Sequence, residues 1–172
     1  MKKYCLLLAC TLSCILLQAQ NIPTANEVLQ TAYQKARQEN KNVFLLFHAS
    51  WCGWCRDMDS AMRDASVKTY FEKNYVITHL TVYEGENKKQ LENPGALEFL
   101  TAHNGADKGI PFWMILDPNG NVLADSRIKP EVNTGRPATT EEVAHFISVL
   151  EKTSTLSPEQ KLAVKNRFYL KE

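Results

Sequence analysis

Cys52 and Cys55, in the stretch "FHASWCGWCRDMDSAM" of residues 47–62, are the side chains whose type and spacing most directly imply chemistry. Three uses compete. As a staple, a disulfide closing so short a loop contributes about 2 kcal/mol in the chain-entropy model, against about 3 kcal/mol for a loop of about 15 residues, so the spacing serves stability poorly. As a zinc site, the pair needs two further ligands from His48, His79, His103, His145 or carboxylates, and no second Cys-x-x-Cys or His pair stands at finger spacing. As a reaction centre the spacing fits. A cysteine in the first turn of a helix meets backbone N–H groups and the positive end of the helix dipole, which favour thiolate over thiol. Cys52 would be the nucleophile. Cys55, one turn on and facing inward, would attack the mixed disulfide formed by Cys52 and close the intramolecular bridge.

The elements that must position this pair are legible from local pattern. Thr24-Ala25-Asn26-Glu27 is a capping box, and the apolar residues that follow it at helical spacing predict a helix of about four turns. "VFLLF", residues 43–47, reads as a buried strand running into the Cys-bearing helix, Trp51 to about Ala65, where Cys55, Met58 and Met62 share one face. Met58 and Met62 are read as core, and Arg56 as part of a solvated face. "KTYFEKN" is a short helix, and "YVITHLTVY", residues 75–83, a second strand. Glu84 to Glu92 reads as a charged, solvated loop, and Ala96 to about His103 as a helix. "WMILD" and "NVLADS" flank the turn Asp117-Pro118-Asn119-Gly120 and form a β-hairpin. "KPEVNTGRPA" reads as loop. Capping signals at Thr139 and Ser157 open two last helices. This order implies an α/β fold whose first strand pair is parallel, with the hairpin adding an antiparallel edge.

The chain has 172 residues and is 44% hydrophobic, enough for one domain with a real core. Its 20 basic and 19 acidic residues are interspersed, which argues against nucleic acid or an anionic membrane surface as partner. The start, "MKKYCLLLACTLSCILLQAQ", has two lysines, an apolar stretch and then Gln18-Ala19-Gln20, and reads as a signal peptide cut after Ala19. The apolar stretch is shorter than the ~20 residues of a membrane span. A lipidated Cys10 or Cys14 is a minor alternative. Cleavage would remove Lys2 and Lys3, leaving 18 basic against 19 acidic residues, and would remove three of the five cysteines. The mature chain would then hold Cys52 and Cys55 alone in a disulfide-permissive compartment, periplasmic or secreted. The expected layout is a signal peptide over 1–19, one domain over 20–156 and a helical extension over 157–172 that caps the sheet or engages a partner.

"WCGWC" after a buried strand, followed by Gly109-Ile110-Pro111 and the "DPNG" hairpin, resembles the thioredoxin superfamily, near the secreted bacterial thiol-disulfide interchange proteins. The resemblance spans roughly Asn21 to Ser154. It implies a thioredoxin-like fold with a central mixed sheet flanked by helices. It further implies a cis bond before Pro111, with Pro111 against the cysteines and the Ile110 backbone free to pair with an extended substrate. Trp51, Gly53, Trp54, Ile110 and Pro111 are the expected substrate-binding residues. No metal and no cofactor are implied. Two departures stand out. Trp54 occupies a position where thioredoxins usually have Pro, and reads equally as a substrate contact or a packed aromatic. Leu46 replaces the buried acid that thioredoxins carry six residues before the first cysteine. His48 could supply the missing proton transfer, although a histidine packed at a strand end is the simpler reading.

The expected activity is thiol-disulfide exchange, reducing or exchanging disulfides in exported proteins, with a membrane-bound electron donor to recycle the pair. The alternative is a non-catalytic binding module that holds protein clients with its cysteines idle.

Overall fold

The computed structural model describes residues 22–170. The signal peptide read over 1–19, with Cys10 and Cys14, lies outside the described residues. The first helix, α1 (Ala25–Glu39), opens at the Thr24 capping box and closes at Asn40 in the left-handed conformation. Strand β1 (Asn42–His48) follows, then α2 (Gly53–Met62), α3 (Lys68–Asn74) and β2 (Tyr75–Thr81). After a 3₁₀ turn over Glu86–Leu91 come α4 (Ala96–Ala102), β3 (Phe112–Leu116) and β4 (Val122–Asp125). Two short strands, β5 (Arg127–Lys129) and β6 (Val132–Asn133), precede α5 (Thr140–Thr153) and α6 (Pro158–Phe168).

The central sheet has the order β2-β1-β3-β4. β1 pairs parallel with β2 and antiparallel with β3, and β4 completes the hairpin as an edge. β1 is thus an inner strand covered on both faces, which explains why "VFLLF" is continuously apolar rather than alternating. Its side chains still divide by the period of two. Phe44 and Leu46 join α2, α3, α5 and α6 in an aromatic-rich core, while Val43, Leu45 and Phe47 pack with α1 and α4 in a more aliphatic one. Phe44 sits at the centre of the first, with ring contacts to Phe71, Tyr75, Trp113 and Phe146.

α6 belongs to this core. Val164 and Phe168 are fully buried, and the Phe168 ring lies 4.9 Å from that of Phe146. Arg136 adds a cation–π contact over Phe168 and pairs through Nε with Asp57 at 2.7 Å. No helix among the described residues is long and apolar enough to cross a membrane.

Two expectations about loops need correction. Residues 84–92 are not simply solvated: they hold a 3₁₀ turn, and Glu84 is only 4% exposed. Residues 129–138 contain β6 and the end of β5, strands of two and three residues that are too short to show a period.

Candidate functional site

The carboxyl end of β1 delivers Ala49-Ser50-Trp51 to the start of α2, and Cys52 is the N-cap of that helix. The sulfur of Cys52 accepts the backbone N–H of Cys55 at 3.1 Å, the bond a Ser or Asp side chain usually supplies at this position. Cys52 N–H donates to Ala49 O at 3.0 Å, closing the turn that leads into the helix. The two cysteines form a disulfide, with their Cα atoms 5.3 Å apart. In this state Cys52 is 3% exposed and Cys55 2%, so burial does not distinguish them. Their surroundings do: Cys52 Sγ lies 3.7 Å from Ile110 O, while Cys55 sits one turn along the buried face that continues into Met58.

The bond between Ile110 and Pro111 is cis. Trp54, Ile110 and Pro111 line an open groove of 410 Å³ together with Asn133, Gly135 and Thr139. Trp54 is 58% exposed, which removes the packed-aromatic reading and leaves its ring available at the groove. Gly53 is exposed beside it at the start of α2. Trp51 is equally exposed, but it does not line this groove; its indole N–H is held by Tyr83 O at 2.7 Å.

That contact is part of a brace that local sequence did not reveal. The Glu84 carboxylate accepts the Ser50 N–H at 2.5 Å and the Ser50 hydroxyl at 2.8 Å, while Lys88 reaches the same hydroxyl. Burial alone would raise the Glu84 pKa, but the two Ser50 hydrogen bonds, helped by the charges of Lys88 and His48, hold it below its usual 4.5. Arg56 Nη1 donates to Ser50 O at 3.0 Å, so both sides of the Ser50 peptide are fixed. Nothing within residues 82–84 announces this role, because it arises only when that segment returns alongside His48–Trp51.

Leu46 is fully buried and packs in the same core as Met58 and Met62, so its surroundings are apolar. His48 bonds Thr81 Oγ1 through Nε2 at 3.2 Å and packs against the His79 ring, which in turn meets Asp59 at 2.8 Å. Burial, followed by the neighbouring His79, lowers the His48 pKa from 6.5 against the opposing pull of Asp59 and Glu84. His48 is therefore a packed strand-end histidine in a polar cluster. Among the described residues, no group of three or more His, Cys, Asp or Glu side chains is placed to hold a metal ion.

Among solved structures, the chain is similar to a disulphide isomerase from Xylella fastidiosa Temecula1, with 22% identity and a TM-score of 0.48 over 59% of this chain and 72% of that one. It is similar to the DsbH oxidoreductase, with 19% identity and a TM-score of 0.45 over 74% of this chain and 82% of that one. A thiol:disulfide interchange protein of the thioredoxin family from Chlorobium tepidum TLS shows 23% identity and a TM-score of 0.38 over 69% and 83% of the two chains. No curated protein matches the sequence. The family model described as thioredoxin-like matches residues 24–118, more than half of the chain and the whole span from α1 to the β3–β4 turn. The chain belongs to the thioredoxin-like family.

Proposed function

We propose that this protein is a thiol-disulfide oxidoreductase that reduces or exchanges disulfides in exported proteins, with Cys52 as nucleophile and Cys55 as resolving cysteine. The observation that carries the reading is the Cys52–Cys55 disulfide at the N-terminus of α2, with Cys52 Sγ facing the Ile110 carbonyl beside cis-Pro111. A redox pair needs both sulfurs within bonding reach and one of them next to the segment that meets substrate; the disulfide supplies the first, and the closeness of Cys52 Sγ to Ile110 supports the second.

The reaction starts from the reduced pair. The Cys52 thiolate, favoured by the Cys55 N–H and the helix dipole, attacks one sulfur of a substrate disulfide. That S–S bond breaks, the distal sulfur leaves as a thiolate and takes a proton from solvent, and a mixed disulfide joins Cys52 to the substrate. Cys55, losing its proton, attacks Cys52 Sγ; the mixed disulfide breaks and the second substrate sulfur leaves as a thiol. Two electrons have passed to the substrate, and the protein is left with its own disulfide. A dithiol donor must reduce it for the next cycle. In an oxidising compartment that donor is a membrane-bound electron-transfer protein. The leader read over 1–19 and the absence of further cysteines in the remaining sequence support a periplasmic or secreted site of action.

The exposure of Trp51 and Trp54 also suits the second reading, a module that holds clients without chemistry. Cys55→Ser separates the two. Expressed in the native host, this variant is expected to accumulate mixed disulfides through Cys52, visible as thiol-sensitive bands on a non-reducing gel. No trapped clients, together with no activity of the wild type on a model disulfide, would leave only the binding module. The direction of transfer is read from the reduction potential: a value near about −270 mV supports a reductant, and one near about −120 mV an oxidant.

A further inference from the structure

Lys108, Gly109, Ile110 and Pro111 carry four successive backbone carbonyls beside the cysteine pair. Three of them converge on one side chain: Asn133 Nδ2 lies 3.1 Å from the oxygens of Lys108, Gly109 and Pro111. The fourth is turned the other way, with Ile110 O 3.7 Å from Cys52 Sγ. The orientation of the amide is fixed by chemistry. Asn133 Oδ1 accepts the Gly135 N–H at 2.9 Å, so the donor end must face the three carbonyls. Gly109, with φ +80°, lets the chain reverse direction between the captured carbonyls.

We infer that Asn133 is a positioning residue for exchange with extended polypeptide disulfides, an inference that rests on the oxidoreductase reading above. By drawing the carbonyls of Lys108, Gly109 and Pro111 to one side, it holds the Ile110 backbone edge toward Cys52. A substrate strand that pairs with that edge meets a preformed template and does not have to order it on binding. Asn133 touches neither sulfur. It acts through the segment it gathers, from β6, and lines the same groove as Trp54.

The test compares two disulfides in the whole chain and its variants. One is a linear peptide disulfide with extended flanking residues; the other is hydroxyethyl disulfide, which has no peptide backbone to pair. Asn133→Asp keeps the shape and the acceptor for Gly135 but turns a donor into a carboxylate facing three carbonyls, and Asn133→Ala removes the gathering group. For both variants the ratio of peptide to hydroxyethyl disulfide kcat/KM is expected to fall at least about tenfold, chiefly through KM for the peptide. Asn133→Asp is expected to fall further than Asn133→Ala. An unchanged ratio overturns the inference, whether both rates hold or both drop together. Loss of folding in both variants, read by circular dichroism, overturns it too, since Asn133 would then be a stability residue. A wild type inactive on both disulfides points instead to failure of the oxidoreductase reading.

Discussion

Residues 84–92 and 129–138 each brace one side of the cysteine pair, and they do it with different chemistry. The first uses a charge: the buried Glu84 carboxylate takes the N–H and the hydroxyl of Ser50, two residues before Cys52. The second uses a neutral amide, Asn133, which spreads weaker bonds over three carbonyls of the segment around Pro111. The difference follows from what each braced segment must do. Ser50 only has to hold α2 at a fixed angle, so a strong, fully occupied anchor suits it. On the reading proposed above, the segment around Ile110 offers one backbone edge to a partner, and a neutral clamp leaves that edge uncharged.

Glu84→Ala is expected to have the largest effect on stability. It strands the Ser50 N–H and removes two charge-assisted hydrogen bonds, a loss of about 2–3 kcal/mol, whereas Asn133→Ala should cost about 1 kcal/mol. Urea unfolding of the two variants measures this, and equal losses would break the distinction between charged and neutral braces.

Acid should act on one brace only. A carboxyl whose folded pKa is depressed contributes stability that is full above its unfolded value and is lost as pH falls through the folded one. The share of Glu84 therefore fades below 4.5. His48, also shifted downward, begins to cost stability earlier, as pH falls below 6.5. Glu84→Gln is expected to make the stability profile below pH 4.5 shallower, other depressed carboxylates such as Asp59 keeping part of the slope, while leaving the His48 region in place, and Asn133→Ala should keep the wild-type slope throughout. A parallel acid profile for Glu84→Gln and wild type would refute the charged brace.

Trp54→Ala should have the smallest effect on folding. At 58% exposure its ring contributes little to the core, so stability should stay within about 0.5 kcal/mol of wild type. Peptide-disulfide exchange should nonetheless fall about fivefold, roughly 1 kcal/mol of lost aromatic contact. A stability loss comparable to that of Asn133→Ala would mean that Trp54 holds the groove together and does not merely line it.

Residues whose role is set by near neighbours were readable from sequence. The capping boxes at Thr24, Thr139 and Ser157 all form, because each depends on a residue three positions away. The buried strand "VFLLF" and the inward face of Cys55, Met58 and Met62 follow from apolar periodicity. The Glu84–Ser50 bond spans 34 positions, and the Asn133 clamp reaches back 22 to 25. Both sit in polar runs without a period, so no local pattern separates them from solvated loop. The cis bond before Pro111 came from family resemblance and not from residue chemistry, and the structure contains it. The apolar Leu46 needed only its position in β1.

Phe168 bears on what counts as a unit in this protein. The span similar to the family ends at residue 118, yet Phe146 and Phe168, which cover Phe44 and Phe71, come from α5 and α6 beyond it. The stretch that the family model matches and the stretch that packs around this core are therefore different lengths of chain. A piece trimmed to the matched span would keep both cysteines, and α2 and α3 above this core, but would lose the α5 and α6 side chains that pack on Phe44 and Phe71.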